Sequence, residues 1–161
     1  MGDSLNFLLL CAGPIKRAGW VTLDANPEFK PDILASIPPL PKEVTGTRWH
    51  TILWSHGIGS LYPWQAEEIL PQLRAALADE GVLVLEQPNA RAAAGRILED
   101  PADMWWMFGR SYKHDALNMN HWAYTPETLA GALRGAGFTR IEALPAKGGL
   151  PERDFRMEAR R

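Results

Sequence analysis

Two short stretches near the N-terminus carry residue types suited to a nucleotide-like ligand. Phe7-Leu-Leu-Leu10 is an unbroken apolar run that stops at Cys11-Ala-Gly-Pro14. That is the pattern of a strand buried on both faces and followed by a tight turn. Trp20-Val-Thr-Leu23 reads as a second strand and ends on the carboxylate of Asp24. Ligands of open parallel sheets bind beyond the carboxyl ends of the strands, where an acid can accept the hydroxyls of a ribose. Asp24 is therefore the leading binding residue, against the alternative of a solvated turn acid. Cys11, Ala12 and Gly13 would offer backbone to the same ligand; the alternative is a plain strand-to-turn junction.

A second set of groups lies further along. Ser55-His56 ends another β-rich run, Thr51-Ile-Leu-Trp-Ser55. The imidazole of His56 titrates near neutrality and suits a general base, although a hydrogen-bonded structural histidine is the commoner case. Tyr112 to His121 is polar and contains His114, Asp115 and His121, with Tyr124 close behind. The spacing of those two histidines is a poor match to compact metal-ligand motifs, so no metal is predicted. Met104-Trp-Trp-Met-Phe108 would line an apolar pocket, cover the core as a lid, or form an oligomer or partner interface through Trp105-Trp106. Cys11 has no neighbour in sequence that favours a thiolate, and reads as a small buried residue.

The elements that must hold these groups follow from periodicity. Asp32-Ile-Leu-Ala35 suits a short third strand and Val82-Leu-Val-Leu-Glu86 a fifth, closed by Pro88-Asn89. Between them Ile69, Leu70, Leu73, Ala76 and Leu77 recur at helical spacing after Pro63, and Pro71 predicts a kink or two short helices. Ala90 to Leu98 suits a short helix. Thr125-Pro126 opens a better one, with Leu129, Ala132, Leu133 and Ala136 on one face and Gly135 and Gly137 at its end. Thr139 to Leu144 and Asp154 to Glu158 pair as a hairpin. This order predicts an α/β, Rossmann-like three-layer sandwich: a mostly parallel sheet with a C-terminal antiparallel hairpin.

Bulk properties narrow the function classes. The 161 residues suit one domain, with an insert at about 90–123. A formal charge of -2 gives no general attraction to nucleic acid or to an anionic membrane. The single cysteine excludes an internal disulfide, no run reaches membrane-spanning length, and a basic leader is missing from Met-Gly-Asp-Ser. A cytoplasmic, soluble protein is expected.

In this order the motifs resemble the class I S-adenosylmethionine-dependent methyltransferases. They are most similar to a small bacterial branch that opens Leu-Asn-Leu-Gly-Cys-Gly, then Gly-Trp-Val-Asn-Leu-Asp. Here the matching residues are Leu8-Leu-Leu-Cys-Ala-Gly13 and Gly19-Trp-Val-Thr-Leu-Asp24. Further matches are Pro31-Asp-Ile-Leu-Ala35, Ser55-His56, Gly81-Val-Leu-Val-Leu-Glu86 with Pro88-Asn89, and Tyr124-Thr-Pro-Glu-Thr-Leu129 running to Phe138. The resemblance implies S-adenosylmethionine as cofactor, held by Cys11, Ala12, Gly13, Asp24, Ala25, Ser36, Ile37 and Ser55. It further implies methyl transfer to an O or N nucleophile of a small molecule or glycan. His56 would then assist deprotonation, and the insert, with His121 and Tyr124, would cover the acceptor pocket.

Four departures accompany it. Cys11 replaces the first glycine of the turn, Ser36 replaces an acid, Gly59-Ser60 replaces a Glu-His pair, and Ala78-Asp-Glu-Gly81 replaces Lys-Pro-Gly-Gly. They define the alternative: a methyltransferase-like domain with weak cofactor binding that serves as a structural or regulatory partner. NAD binding is a third reading, opposed by the missing Gly-x-Gly-x-x-Gly turn.

Overall fold

The computed structural model describes residues 6–110 and 119–161. Seven strands form one sheet in the order β3-β2-β1-β4-β5-β7-β6. They are β1 (Phe7–Leu10), β2 (Trp20–Asp24), β3 (Ile33–Leu34), β4 (Trp49–Ser55), β5 (Leu77–Pro88), β6 (Arg140–Pro145) and β7 (Asp154–Arg160). The first five are parallel; β7 runs antiparallel to both β5 and β6. The mostly parallel sheet and its terminal hairpin are those predicted. Strand order reverses at β1, which lies between β2 and β4, so the crevice of the fold opens beyond the tips of β1 and β4.

Alternation along the strands sorts the core. Leu8, Leu10, Ile52, Trp54, Leu83 and Leu85 face α1 (Lys42–Thr45), α2 (Pro63–Ala76) and α5 (Pro126–Gly135) in one large apolar cluster. Among the described residues the opposite face carries only a small cluster of Leu9, Ala12, Leu53 and Val84, with Trp20 and Val82 beside them. Among the described residues no helical one joins this second cluster. Parallel strands usually cross over through a helix, yet the β1–β2 and β2–β3 connections hold no α-helix, only a 3₁₀ turn at Pro27–Phe29. Trp20 is instead covered by Phe7, stacked at 5.2 Å, and by the Arg17 guanidinium at 5.3 Å. The three predicted layers are therefore unequal.

Local chemistry explains the remaining boundaries. Thr125 accepts from the Thr128 N–H and Thr128 accepts from the Thr125 N–H, a reciprocal cap that starts α5 with Pro126 in its first turn. α2 runs through Pro71 as one helix, so of the two outcomes expected the pair of short helices does not form. Ile69, Leu70 and Leu73 are fully buried on either side of it. Each contributes about 1.5–3 kcal/mol, together more than the roughly 3 kcal/mol that an interior proline costs. β5 begins earlier than predicted, at Leu77. Its register to β4 shifts between Trp49 and Thr51, across a bulge that includes Glu80 at φ 59°.

The segment after β5 folds as α3 (Ala90–Glu99), a 3₁₀ turn and α4 (Trp105–Phe108). Arg96 ties it together, at 2.6 Å from Asp103 and 5.8 Å over the Trp106 ring. Among the described residues no helix is long and apolar enough to cross a membrane.

Candidate functional site

The β1 and β2 tips meet through Asp24. Its Oδ2 accepts the Gly13 N–H at 2.8 Å and its Oδ1 accepts the Asn26 N–H at 2.8 Å. One carboxylate thus braces both bends. Gly13 has φ 56°, and a Cβ built there meets nothing within 4 Å, so space opens in front of the turn. Cys11, where the resemblance expects glycine, adopts the glycine-like φ of 51°. Its side chain turns toward the large core, where Sγ accepts the Trp54 indole N–H at 3.3 Å. Burial pushes the thiol pKa up to about 11, outweighing that hydrogen bond. Ala25 and Ser36 flank Asp24 through the chain, because the Ala35 N–H donates to the Asp24 carbonyl at 3.0 Å. Ser36 is exposed and Ile37 half-buried.

A second constellation lies at the β4 and β5 tips. His56 follows β4 with φ 55°, a conformation costly for a residue with a Cβ, and its N–H donates to the Glu86 carbonyl at 2.7 Å. Its Nε2 is 3.3 Å from Oδ2 of Asp154, whose side chain is fully buried. Asp154 also accepts from Arg153 Nε at 2.5 Å, from Arg153 Nη2 at 3.0 Å and from the Leu150 N–H at 3.0 Å. The buried carboxylate places a negative charge beside Nε2, which favours a proton on the ring. Burial lowers the His56 pKa below 6.5; Asp154 opposes that shift and Arg153 adds to it. The imidazole is neutral at physiological pH.

Glu86 organises the strands around that histidine. Its carboxylate accepts from the Lys147 and Gly148 N–H groups, each at 3.1 Å, and from Arg156 Nη1 at 3.1 Å. The β6–β7 loop is thereby drawn over the tips of β4 and β5. Gly149 makes this approach possible. It has φ 69°, and a Cβ there would collide with the Asp154 carboxylate and lie 3.1 Å from His56 Nε2. Sequence reasoning selected His56 and Ser55 but missed Glu86, Arg153 and Asp154. The available signals were a lone acid ending an apolar strand, Val82-Leu-Val-Leu-Glu86, and the Gly148-Gly149 pair just before Asp154.

No family model matches the sequence, and no curated protein matches it. Solved structures do. A methyltransferase from Archaeoglobus fulgidus is 14% identical, with 99% of this chain and 87% of that chain covered and a TM-score of 0.66. The CcbJ methyltransferase of Streptomyces caelestis is 13% identical over 98% of this chain and 84% of its own, at a TM-score of 0.65. The glycopeptide N-methyltransferase MtfA, solved with sinefungin, is 15% identical over 98% and 81%, at 0.60. The fold is that of the S-adenosylmethionine-dependent methyltransferases.

Within this methyltransferase fold the insert reaches the His56 constellation through Trp105. Arg153, which holds Asp154, lies 5.5 Å over the Trp105 ring, and Arg110 lies 4.1 Å over the same ring. Trp105 and Trp106 are half-buried rather than a bare apolar patch. His121 is tied to the loop after His56: its N–H donates to the Gly59 carbonyl at 2.8 Å and its Nδ1 lies 2.7 Å from the Ser60 carbonyl. Its ring stacks on Tyr62 at 4.9 Å. Tyr124 is buried and faces a groove between α2 and α5. The structure thus joins His56 to Asp154, and Gly13 to Asp24, while Tyr124 serves a different surface. His114 and Asp115 lie outside the described residues.

Proposed function

We propose that the chain binds S-adenosylmethionine at the β1 and β2 tips and transfers its methyl group to an O or N nucleophile of a small molecule or glycan. The observation that carries this reading is Asp24 bridging Gly13 and Asn26 beside the open space in front of Gly13. When bound, the cofactor supplies a methyl group activated by a positively charged sulfonium. Backbone from Cys11 to Gly13 and the side chains of Asp24 and Ser55 would hold it, with Ala25, Ser36 and Ile37 beside the adenine. Each Asp24 oxygen retains a second acceptor position for a ribose hydroxyl.

His56 is the proposed base. Neutral and with Nδ1 free of any hydrogen bond among the described residues, it would take the proton from the acceptor's O–H or N–H. Asp154 would stabilise the resulting imidazolium, and Arg153 would keep Asp154 in place. The insert, pinned by Trp105 on Arg153, would exclude water, and His121 would form the outer rim. Because alignment of donor and acceptor supplies much of the rate in such displacements, one base suffices. The structural similarity to a glycopeptide N-methyltransferase supports an N or O nucleophile.

One observation favours a non-catalytic domain: Cys11 stands at the left-handed turn position where the resemblance expects glycine. Calorimetric titration with S-adenosylhomocysteine separates the two. Micromolar binding lost in Asp24→Ala supports the enzyme; absence of heat at millimolar ligand leaves only the structural or regulatory role.

A further inference from the structure

Glu86 is a buried acid to which the proposed reaction gives no part. A carboxylate so enclosed must be matched by hydrogen bonds. Its partners come from β7 and from the β6–β7 loop. Arg156 Nη1 and the Lys147 N–H converge on Oε1, and the Gly148 N–H donates to Oε2, each at 3.1 Å. Arg156 turns Nε and Nη2 to the Glu158 carboxylate behind it, at 2.9 Å and 2.6 Å.

Little else holds that loop. Lys147, Gly148, Gly149, Pro151 and Glu152 are exposed, and Ala146 and Leu150 are half-buried. Apolar burial therefore contributes little, and the fixed points are two buried carboxylates. Glu86 takes the amides of Lys147 and Gly148; Asp154 takes that of Leu150 at 3.0 Å. The glycines fit the same arrangement. A Cβ on Gly148 would lie 3.2 Å from Glu86 Oε2, and one on Gly149 would collide with the Asp154 carboxylate. Each glycine admits a different acid.

What the loop covers is one edge of the His56 ring. A Cβ on Gly149 would lie 3.1 Å from Nε2, so the loop backbone abuts that nitrogen, while 37% of the side chain stays open elsewhere. The charged groups acting on the ring are Asp154 and Arg153 from β7 and Glu86 from β5. We propose that Glu86 is a positioning residue: its carboxylate latches the β6–β7 loop against the His56–Asp154 pair and so shields the Nε2 edge of the imidazole from water. The consequence for catalysis rests on the reading of His56 as the base; the hold on the loop does not.

The two parts open to Glu86 differ in sign. As a nearby charge alone it raises the His56 pKa, so its removal would lower it. As a latch its removal lets water reach the ring and raises the pKa, because burial is the largest cause of the downward shift. NMR titration of the His56 imidazole in the full chain separates them. Glu86→Gln should move the midpoint up toward about 6.5, the value of a free histidine. Trypsin should then cut after Lys147 at least about tenfold faster, because the loop has lost charge-assisted hydrogen bonds. Gly148→Val keeps both acids and crowds the loop off Glu86, so it should give the same upward shift, and it decides the matter if Glu86→Gln does not fold. A midpoint that fails to rise in either folded variant overturns the proposal. Neither readout uses methyl transfer or cofactor, so the latch and the catalytic reading fail separately.

Discussion

The imidazole of His56 and the carboxylate of Asp154 lie 3.3 Å apart at the junction of β4 and β7, with the acid sealed from solvent and the base partly open to it. This is the geometry of a base with a buried carboxylate behind it. Its pKa lies below 6.5, so the acid limb of a rate profile falls below that value and activity stays level through neutral pH. Asp154→Asn removes the charge that raises the His56 pKa. The limb then moves to lower pH, and the rate falls by about 10²-fold or more as the imidazolium loses its countercharge. A purely structural pair would lose stability without moving the limb.

The same shift bears on stability. The folded state binds the His56 proton less tightly than the unfolded chain does. Its contribution is therefore present above pH 6.5 and is lost as pH falls through the folded value. Urea unfolding at pH 5 and pH 7.5 should show the difference, and His56→Gln should reduce it.

Asp24→Ala removes the acceptor of two backbone amides at once. A loss of about 1–3 kcal/mol is expected by denaturant titration, because partly buried N–H groups then rely on water. Asp24→Asn should recover only part of it, since an amide has one oxygen rather than two.

Cys11 is a thiol, not a thiolate. Its pKa near 11, against 9.0 for an unperturbed group, predicts alkylation by iodoacetamide at pH 8 about a hundredfold slower than for a free cysteine. Cys11→Gly relieves a left-handed backbone worth about 1 kcal/mol but forfeits the Trp54 contact. Net stability should change by less than about 1 kcal/mol, and a rise in S-adenosylhomocysteine affinity would mark the side chain as an obstacle.

Gly149→Ala should be among the most damaging surface substitutions. Both the positive φ and the collision with Asp154 act against it. The expected outcome is a lower melting temperature together with a displaced His56 limb in the rate profile, because the loop cannot then approach.

Much of the architecture was legible because it depends on local pattern. The unbroken apolar runs of β1 and β5, the Thr125-Pro126 start of α5 and the hairpin of β6 and β7 are each encoded within a few residues. Asp24 could be selected because its position at a strand end has meaning in any parallel sheet. Asp154 could not, since only the antiparallel pairing of β7 beside β5 brings it to His56. Pro71 left open whether α2 would split, because helix propensity is local, whereas the burial that holds the helix in one piece comes from residues on other elements. The β1–β2 crossover without a helix was legible too, because Cys11-Ala-Gly-Pro14 reads as a tight turn.

The unequal burial of the two sheet faces means that substitutions have sharply different consequences by side. A polar replacement at Leu8, Ile52 or Leu83 strikes the chain's principal source of cohesion, whereas one at Val82 or Phe7 alters a thin fringe. With so much of its adhesion gathered on the side of α2 and α5, those helices should be the last to open, while the thinly covered face exchanges its amide hydrogens first.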